Sequence, residues 1–374
     1  MRIGLYILLA IVGLIIIAAS FVYFYFVRIP KLELPSNAPK EEIWNTLDQW
    51  LNRMHEKGKL NGGILIAKDQ QALFMKTYGY TDWEKTTPLN AQSSFRLASV
   101  SKQFTAAGIM LLRENGLLAF DDLLTKHIKG FPYSDVTIRH LLTHTSGIPD
   151  VYMDLAEKNK DRIGDVLSIQ EVVDLVVSNP TTPNAKPLEQ YAYSNTGYVL
   201  LAGIIEIISQ QSFEDFMRLE LFEPLGMKNT RVWNLLSEDT TFENKTSSFN
   251  AFWKKPLQPG FIDGVAGDGA VFSSLEDFLI WDQFWYSNNL ISAATLQEAF
   301  KAPTLANGKT SNYGFGWILQ GDVVWHNGGW LGARTFFSRN TKNKTCLVLL
   351  DNSANASSGA ILKELSKLSK VLNK

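Results

Sequence analysis

The sequence predicts an α/β fold. In it an antiparallel sheet, formed by the N- and C-terminal segments and flanked by helices, carries an inserted and mostly helical lobe. Strand-like stretches lie near both ends of the chain, in GGILIAKD and ALFMKTYGY and again after residue 312. Between about 117 and 300 the apolar residues mostly follow helical spacing. The 374 residues also exceed the size at which a single core stops growing, roughly 250–300 residues, which favours two lobes.

The separate elements follow from local patterns. The apolar stripe of EEIWNTLDQWLNRMHEKG predicts a helix that ends at Gly58, and a second apolar helix begins at Ser99 and ends near Gly116. Four late strands are predicted in YGFGWILQ, VVWHNG, ARTFFSRN and KTCLVLLDN. A cleft between the sheet and the lobe is the expected place for a ligand site. The further helices are predicted over 137–143, 169–178, 196–210, 212–222, 274–286 and about 357–372.

The N-terminal segment differs from the rest, because residues 3–27 contain no charged side chain. A helix of this length rises about 37 Å, and a bilayer hydrocarbon core is about 30 Å thick. Ala18-Ala19-Ser20 is only a weak cleavage signal. We therefore expect a transmembrane signal-anchor over 1–28, a proline-punctuated linker over 29–40 and a folded domain over 41–374.

Composition narrows the classes of partner. The formal net charge is −1 and there is no basic tract, so nucleic acid is not an expected partner. The single cysteine, Cys346, rules out an intrachain disulfide, and its apolar strand favours a role in core packing. Five histidines without a ligand cluster predict that no cofactor is needed.

The stretch RLASVSKQFTAAGIMLL places Lys102 three residues after Ser99, on one face of a helix. The two side chains could touch where a helix N-terminus offers unpaired N–H groups. A capped helix start with a solvated lysine fits the same letters. This motif alone leaves both interpretations open.

A second element, Tyr193-Ser194-Asn195, stands immediately before another apolar helix. A tyrosine can act as a base only beside a cation that stabilises the phenolate, and Lys102 could be that cation. The amide of Asn195 could orient both a lysine and a substrate carbonyl. The same three residue types recur at 286–288, where they end an aromatic helix, and we interpret that copy as structural.

The third element, His326-Asn327-Gly328, lies at a strand edge and runs into Gly329. Glycines there would let a substrate backbone approach closely. His326 could donate to a substrate or hold a proton, although a glycine hairpin with an incidental histidine is the plainer interpretation.

The three elements in this order resemble the class C β-lactamase-like serine hydrolases, whose relatives include penicillin-binding proteins, D-Ala-D-Ala carboxypeptidases and esterases. LLTHTSGIPD, LFEPLGMKNT, GDGAVFSSLEDFLIW and YGFGW add to the likeness, which covers about residues 41–350. The resemblance implies a serine hydrolase that acts through an acyl-enzyme on an amide or ester bond in a peptidoglycan-type D-peptide, a β-lactam or an ester. It also implies a catalytic domain outside the cytoplasm, in the periplasm or at the cell surface. With the predicted anchor, this makes a single-pass protein of the cell membrane.

By the same resemblance, Ser99 is the nucleophile and either Lys102 or Tyr193 is its base. Asn195 positions the substrate, and the backbone N–H groups of Ser99 and Gly329 form the oxyanion hole.

One position departs from the family pattern. Most β-lactamases of this kind have lysine where this chain has His326, which moves the expected substrate from penicillins towards esters or peptides. Gly328 is expected to line the substrate site. Arg334 could supply the missing carboxylate-binding charge, or it could be an ordinary surface arginine.

Other classes of function remain open. One is a catalytically weak penicillin-binding protein or a binding protein with an inactive site. Another is a metal-dependent hydrolase that uses His140 and His144, with Asp150 nearby, although the HExxH motif is absent.

Overall fold

The computed structural model describes residues 2–22, 28–35, 38–239, 241–251 and 255–368. The helices within these ranges are α1 (Arg2–Val22), α2 (Lys40–Glu56), α3 (Lys102–Glu114), α4 (Ile138–Leu142), α5 (Tyr152–Lys158), α6 (Ile169–Ser178), α7 (Asn195–Ser209), α8 (Phe213–Met217), α9 (Glu223–Leu225), α10 (Leu275–Phe284), α11 (Ala293–Glu298) and α12 (Ser358–Leu365). The strands are β1 (Gly62–Lys68), β2 (Gln71–Tyr78), β3 (Phe95–Arg96), β4 (Arg231–Val232), β5 (Phe249–Asn250), β6 (Lys255–Pro256), β7 (Val271–Ser273), β8 (Ile318–Gln320), β9 (Val323–Trp330), β10 (Ala333–Asn340) and β11 (Thr345–Asp351).

The main sheet joins the two ends of the chain, as predicted. Its strand order in the described residues is β2-β1-β11-β10-β9-β8, and all neighbouring strands are antiparallel. β1 pairs with β11 from Gly62 opposite Asp351 to Lys68 opposite Thr345. β1 is buried almost throughout because α2 and α12 share an apolar core with one of its faces while α10 packs on the other.

The inserted lobe is mostly helical, with α7 buried at its centre. Outside the main sheet are strands that the sequence analysis did not predict: β3, which precedes the lobe, forms a small sheet with β7 and β4 of the lobe, and β5 pairs with β6. These strands are two or three residues long, too short to show an alternating pattern. The predicted strand YGFGWILQ shortens to β8, because Gly316 has φ +75° and lies against α3.

The predicted membrane location is corrected by the structure. Across the described ranges, no helix is both long enough and apolar enough to cross a membrane. A transmembrane helix needs about 20 consecutive apolar residues. Residues 23–27 of the expected anchor lie outside the described residues. This finding overturns the expected single-pass anchoring of the catalytic domain.

Candidate active site

Ser99 lies in a 3₁₀ turn, Ala98–Ser101, that leads into α3. The turn is held on both sides, since the Leu97 N–H donates to the Val271 carbonyl at 2.8 Å and the Thr335 hydroxyl donates to the Leu97 carbonyl at 2.7 Å. Ala98 has φ +49°, a left-handed conformation that costs energy for a residue with a Cβ. The residue preceding α3 is Ser101, so Ser99 does not cap this helix.

Lys102 is fully buried, which removes the interpretation of a solvated lysine. Its Nζ lies 2.8 Å from Asn195 Oδ1, 2.9 Å from the carbonyl oxygen of Asp268 and 3.5 Å from Ser99 Oγ. The Tyr193 ring centroid is 4.9 Å from this nitrogen. An amine is tolerated in such a buried place because polar acceptors surround it.

The Asn195 amide is held in one orientation. Its Nδ2 donates to Asp150 Oδ2 at 2.9 Å, while Asp150 Oδ1 accepts from the Thr196 N–H at 2.8 Å. Because an ionised carboxylate only accepts, the amide nitrogen must face Asp150 and the amide oxygen must face Lys102. Asp150 is therefore a supporting residue, a role that the sequence analysis missed because 45 residues separate it from Asn195.

His144 supports the tyrosine side of the site. Its Nδ1 accepts the Ser194 N–H at 3.2 Å, so the neutral ring carries its proton on Nε2, which has no partner among the described residues. Burial lowers the pKa of His144 well below its usual range, and the nearby charges of Lys102 and His326 act in the same direction. The ring centroids of His144 and Tyr193 are 4.3 Å apart, and the Tyr193 hydroxyl is buried without a hydrogen-bond partner in the described structure. His144 therefore packs at a tilt against a phenol whose hydroxyl makes no hydrogen bond in the described structure.

His140 and His144, which were considered as metal ligands, each accept a hydrogen bond from a backbone N–H group. His140 Nδ1 accepts the Thr137 N–H at 3.2 Å at the start of α4, while His144 holds the loop before α7. No group of three or more histidine, cysteine, aspartate or glutamate side chains within the described ranges is placed to hold a metal ion.

His326 is buried with both ring nitrogens engaged. Nδ1 lies 2.6 Å from the Asn327 carbonyl oxygen and must carry the proton, because a carbonyl only accepts. Nε2 therefore accepts from the Tyr313 hydroxyl at 2.9 Å. Burial lowers the pKa of His326 to about 3, with a smaller contribution from the charge of Lys102. Near pH 7 this side chain is neutral, and it can donate to a substrate only by giving up a bond that it already makes.

The edge of β9 lies against the serine turn. A Cβ on Gly328 would lie 2.2 Å from the Leu97 carbonyl oxygen and 3.1 Å from the Ser99 nitrogen, so glycine alone permits this approach. Gly329 lies at the wall of a cavity of about 270 Å³ that Ser99 and Asn195 also line. The structure thus brings Ser99, Asn195 and Gly329 to one cavity, and Lys102 contacts two of the three.

Arg334 lies opposite Gly329 in the pairing of β9 with β10, and the second Tyr-Ser-Asn lies away from the cavity of Ser99. Arg334 Nη1 donates to the Ala333 carbonyl at 2.9 Å, and this side chain does not line the cavity of Ser99. Tyr286 lies under the Arg339 guanidinium, 4.3 Å from the ring centroid, and Arg339 forms a buried ion pair with Asp282 at 2.6 Å. Tyr286 is therefore part of a structural cluster, as interpreted from its aromatic surroundings.

The sequence analysis also missed an ion pair in the cavity wall. Arg96 Nη1 lies 3.6 Å from Asp263 Oδ1, and both side chains are buried. Trp330 donates to the same oxygen at 2.7 Å, which ties the end of β9 to this pair.

Known proteins share the sequence family and the fold of this chain. The family model described as Beta-lactamase matches residues 47–368. Penicillin-binding protein 4* of Bacillus subtilis is 38% identical over 313 residues, which cover 79% of this chain and 69% of that protein. The octameric penicillin-binding protein homologue from Pyrococcus abyssi superposes with a TM-score of 0.73 at 26% identity, covering 88% of this chain and 77% of that chain. D-amino acid amidase from Ochrobactrum anthropi has the same fold, with a TM-score of 0.68 at 22% identity, and the match covers 88% of this chain and 98% of that chain. This chain spans about two thirds of the length of the curated relatives that it matches.

Proposed function

Because the chain belongs to the β-lactamase family and is a serine hydrolase, we propose that it cleaves an amide or ester bond through an acyl-enzyme on Ser99. The observation that carries this proposal is the environment of Lys102. A buried amine that lies 3.5 Å from the Ser99 hydroxyl, and whose two other contacts are carbonyl-type oxygens, is placed to exchange a proton with that hydroxyl.

The two carbonyl contacts favour Lys102 as the base. Asn195 Oδ1 and the Asp268 carbonyl accept only, so each takes an N–H of Lys102 in either protonation state. The remaining position on Nζ faces Ser99 Oγ. In the neutral amine this position is the lone pair, which takes the hydroxyl proton as Oγ bonds to the substrate carbonyl carbon.

Tyr193 is proposed to complete the proton transfer. Its buried hydroxyl makes no hydrogen bond in the described structure, and its ring centroid is 4.9 Å from Lys102 Nζ, so the hydroxyl is free to donate to the leaving nitrogen or oxygen. Expulsion of the leaving group leaves the acyl ester on Ser99. Water then attacks this ester, and its proton returns through the same pair of groups as Oγ leaves. The Ser99 and Gly329 N–H groups are proposed to hold the oxyanion in both steps.

We propose small amides, peptides or esters as the substrates, with penicillin as an acylating ligand. The 38% identity to a penicillin-binding protein supports acylation by penicillin. The neutral state of His326 removes a fixed positive charge from β9, which favours esters and amides for turnover.

The first test is the intact mass of the full chain after incubation with benzylpenicillin, together with hydrolysis of p-nitrophenyl butyrate. We expect a one-to-one adduct and ester turnover in the wild type, and neither in Ser99→Ala. Ser287→Ala, an exposed serine in the other Tyr-Ser-Asn, is the matched control and should behave as the wild type. An adduct on Ser99→Ala, or unchanged ester turnover in it, would remove Ser99 from the mechanism. Turnover that depends on Ser99 without an adduct would retain the hydrolase and reject penicillin as a ligand.

A further inference from the structure

A second cavity, of about 520 Å³, lies next to the cavity of Ser99, and the Arg96 side chain lines both. We name it the Lys245 cavity; its wall includes Trp83, Trp233, Lys245 and Leu331 as well as Arg96. Leu331 directly follows Trp330, which lines the cavity of Ser99. The two cavities therefore share a wall formed by Arg96 and the tip of the hairpin between β9 and β10.

Lys245 is a half-buried cation without an anionic partner among the described residues. Its Nζ lies 3.1 Å from the centroid of the Trp233 ring, and both Lys245 and Arg96 lie near the Phe272 ring, at 5.9 and 5.0 Å. Burial lowers the pKa of Lys245 to about 8, and the positive charge of Arg96 contributes in the same direction. Two like charges are thus held near each other over aromatic rings.

The carboxylates around this cavity do not cancel the charge of Lys245. Asp263 is already paired with Arg96 at 3.6 Å, and Asp239 is paired with Arg231 at 3.7 Å. Glu84 also lines the cavity, but its side chain is exposed, so water screens it. An anion that enters the cavity would supply the partner that Lys245 lacks.

We propose that the Lys245 cavity binds a carboxylate on the substrate, carried by an apolar or aromatic group that extends from the scissile carbonyl past Arg96 and the hairpin tip. This inference rests on the proposed function, because it assigns a substrate class to the same site. Lys245 and Arg96 attract the carboxylate, while the rings of Trp83 and Trp233 cover the apolar group that carries it.

The kinetic test uses pairs of p-nitrophenyl esters of equal chain length. The monoesters of succinic, glutaric and adipic acid carry a terminal carboxylate, and the esters of butyric, valeric and hexanoic acid are their neutral counterparts. We expect at least one charged ester to show a KM about tenfold below that of its neutral partner, at similar kcat. Lys245→Met should abolish this difference and Lys245→Arg should retain it. Lys228→Met removes an exposed lysine that does not line the cavity and is the matched control.

A binding measurement separates this inference from the proposed function. Calorimetry with 3-phenylpropionate should show binding to Ser99→Ala that is lost in the Ser99→Ala and Lys245→Met double variant. The affinity should fall as the pH rises through about 8, because Lys245 then loses its charge. Binding without turnover of any ester would reject the proposed function and retain an anion site. Binding with turnover but equal KM values within each pair would overturn the assignment to the substrate, and equal heats in both variants would overturn the site itself.

Discussion

Asp150→Asn tests whether the carboxylate of Asp150 orients Asn195 for Lys102. In the wild type, Asp150 accepts from both the Asn195 amide nitrogen and the Thr196 N–H. An asparagine at 150 can keep its oxygen on Thr196, but its NH₂ group then faces the NH₂ group of Asn195. Two donors repel, so the Asn195 amide must turn and present nitrogen rather than oxygen to Lys102.

The magnitude follows from the bonds that this rotation removes. A hydrogen bond to a charged group contributes about 1.5–3 kcal/mol, and the bond from Asn195 to the Asp150 carboxylate is of this kind. Asp150 is exposed, so the lower end of the range applies. Since about 1.4 kcal/mol corresponds to a factor of ten in rate, kcat/KM should fall about tenfold.

The assay is hydrolysis of p-nitrophenyl butyrate that depends on Ser99, with thermal unfolding measured on the same samples. Asp154→Asn, an exposed aspartate four residues further on, is the matched control and should lose less than twofold. Equal activity of Asp150→Asn and Asp154→Asn would refute the positioning role. A loss of activity that is matched by unfolding of the Asp150→Asn protein at the assay temperature would also refute it.

Three further expectations follow from the site and its surroundings. Tyr193→Phe should lower kcat by about 10²–10⁴-fold if its hydroxyl transfers the proton, whereas Tyr286→Phe should change kcat less than twofold; the opposite order would move the reaction to the other tyrosine. Gly328→Ala places a Cβ 2.2 Å from a backbone carbonyl oxygen and should abolish turnover and lower the unfolding temperature, whereas Gly359→Ala, with nothing within 4 Å, should do neither. Burial lowers the pKa of His326 from 6.5 to about 3, so on acidification the unfolded chain binds this proton before the folded chain does. The contribution of neutral His326 to the free energy of unfolding is therefore complete above pH 6.5 and is lost as the pH falls from 6.5 towards 3. Urea titrations at pH 7 and pH 5 should show a loss of stability that is about 2 kcal/mol smaller in His326→Gln, because His144 contributes to the loss in both proteins, and equal losses would contradict the burial argument.

The long elements of the fold could be predicted because their patterns are local. The apolar stripe of α2 indicates which side of the helix is buried, and the continuous apolar run of β1 indicates that both faces of the strand are buried. The small sheet of β3, β7 and β4 could not be predicted, since its strands are two or three residues long and pair residues far apart in sequence, such as Phe95 with Ser273 and Arg231 with Phe272. The predicted helix over 212–222 is regular only in α8, because the turn at Arg218–Phe222 widens to a π-helix.

The candidate site could be predicted only where its side chains belong to a short sequence motif. Ser99 and Lys102 lie three residues apart, and the structure brings Asn195 to the same amine. The Asp268 carbonyl contacts that amine as well, but a main-chain oxygen has no residue type that a motif could show. Asp150 was considered only together with His140 and His144, as part of a possible metal site. Its contact with Asn195, 45 residues away, could not be predicted because no sequence spacing connects the two residues. The assigned roles of these residues remain predictions until the variants are measured.

The charges around Ser99 decide where an anionic substrate can be recognised. Lys102 is buried with its polar contacts satisfied, and His326 is neutral near pH 7 because its ring is buried. Arg334 directs a guanidinium nitrogen at the Ala333 carbonyl and does not line the cavity. Among the described residues, two lysine or arginine side chains line these cavities. Arg96 lines both the cavity of Ser99 and the Lys245 cavity, whereas Lys245 lines only the second. A carboxylate bound in the Lys245 cavity would lie beyond the shared wall from Ser99. The chain would then distinguish substrates by a charge that is distant from the scissile bond. A lysine at position 326 on β9 would instead recognise a charge close to that bond.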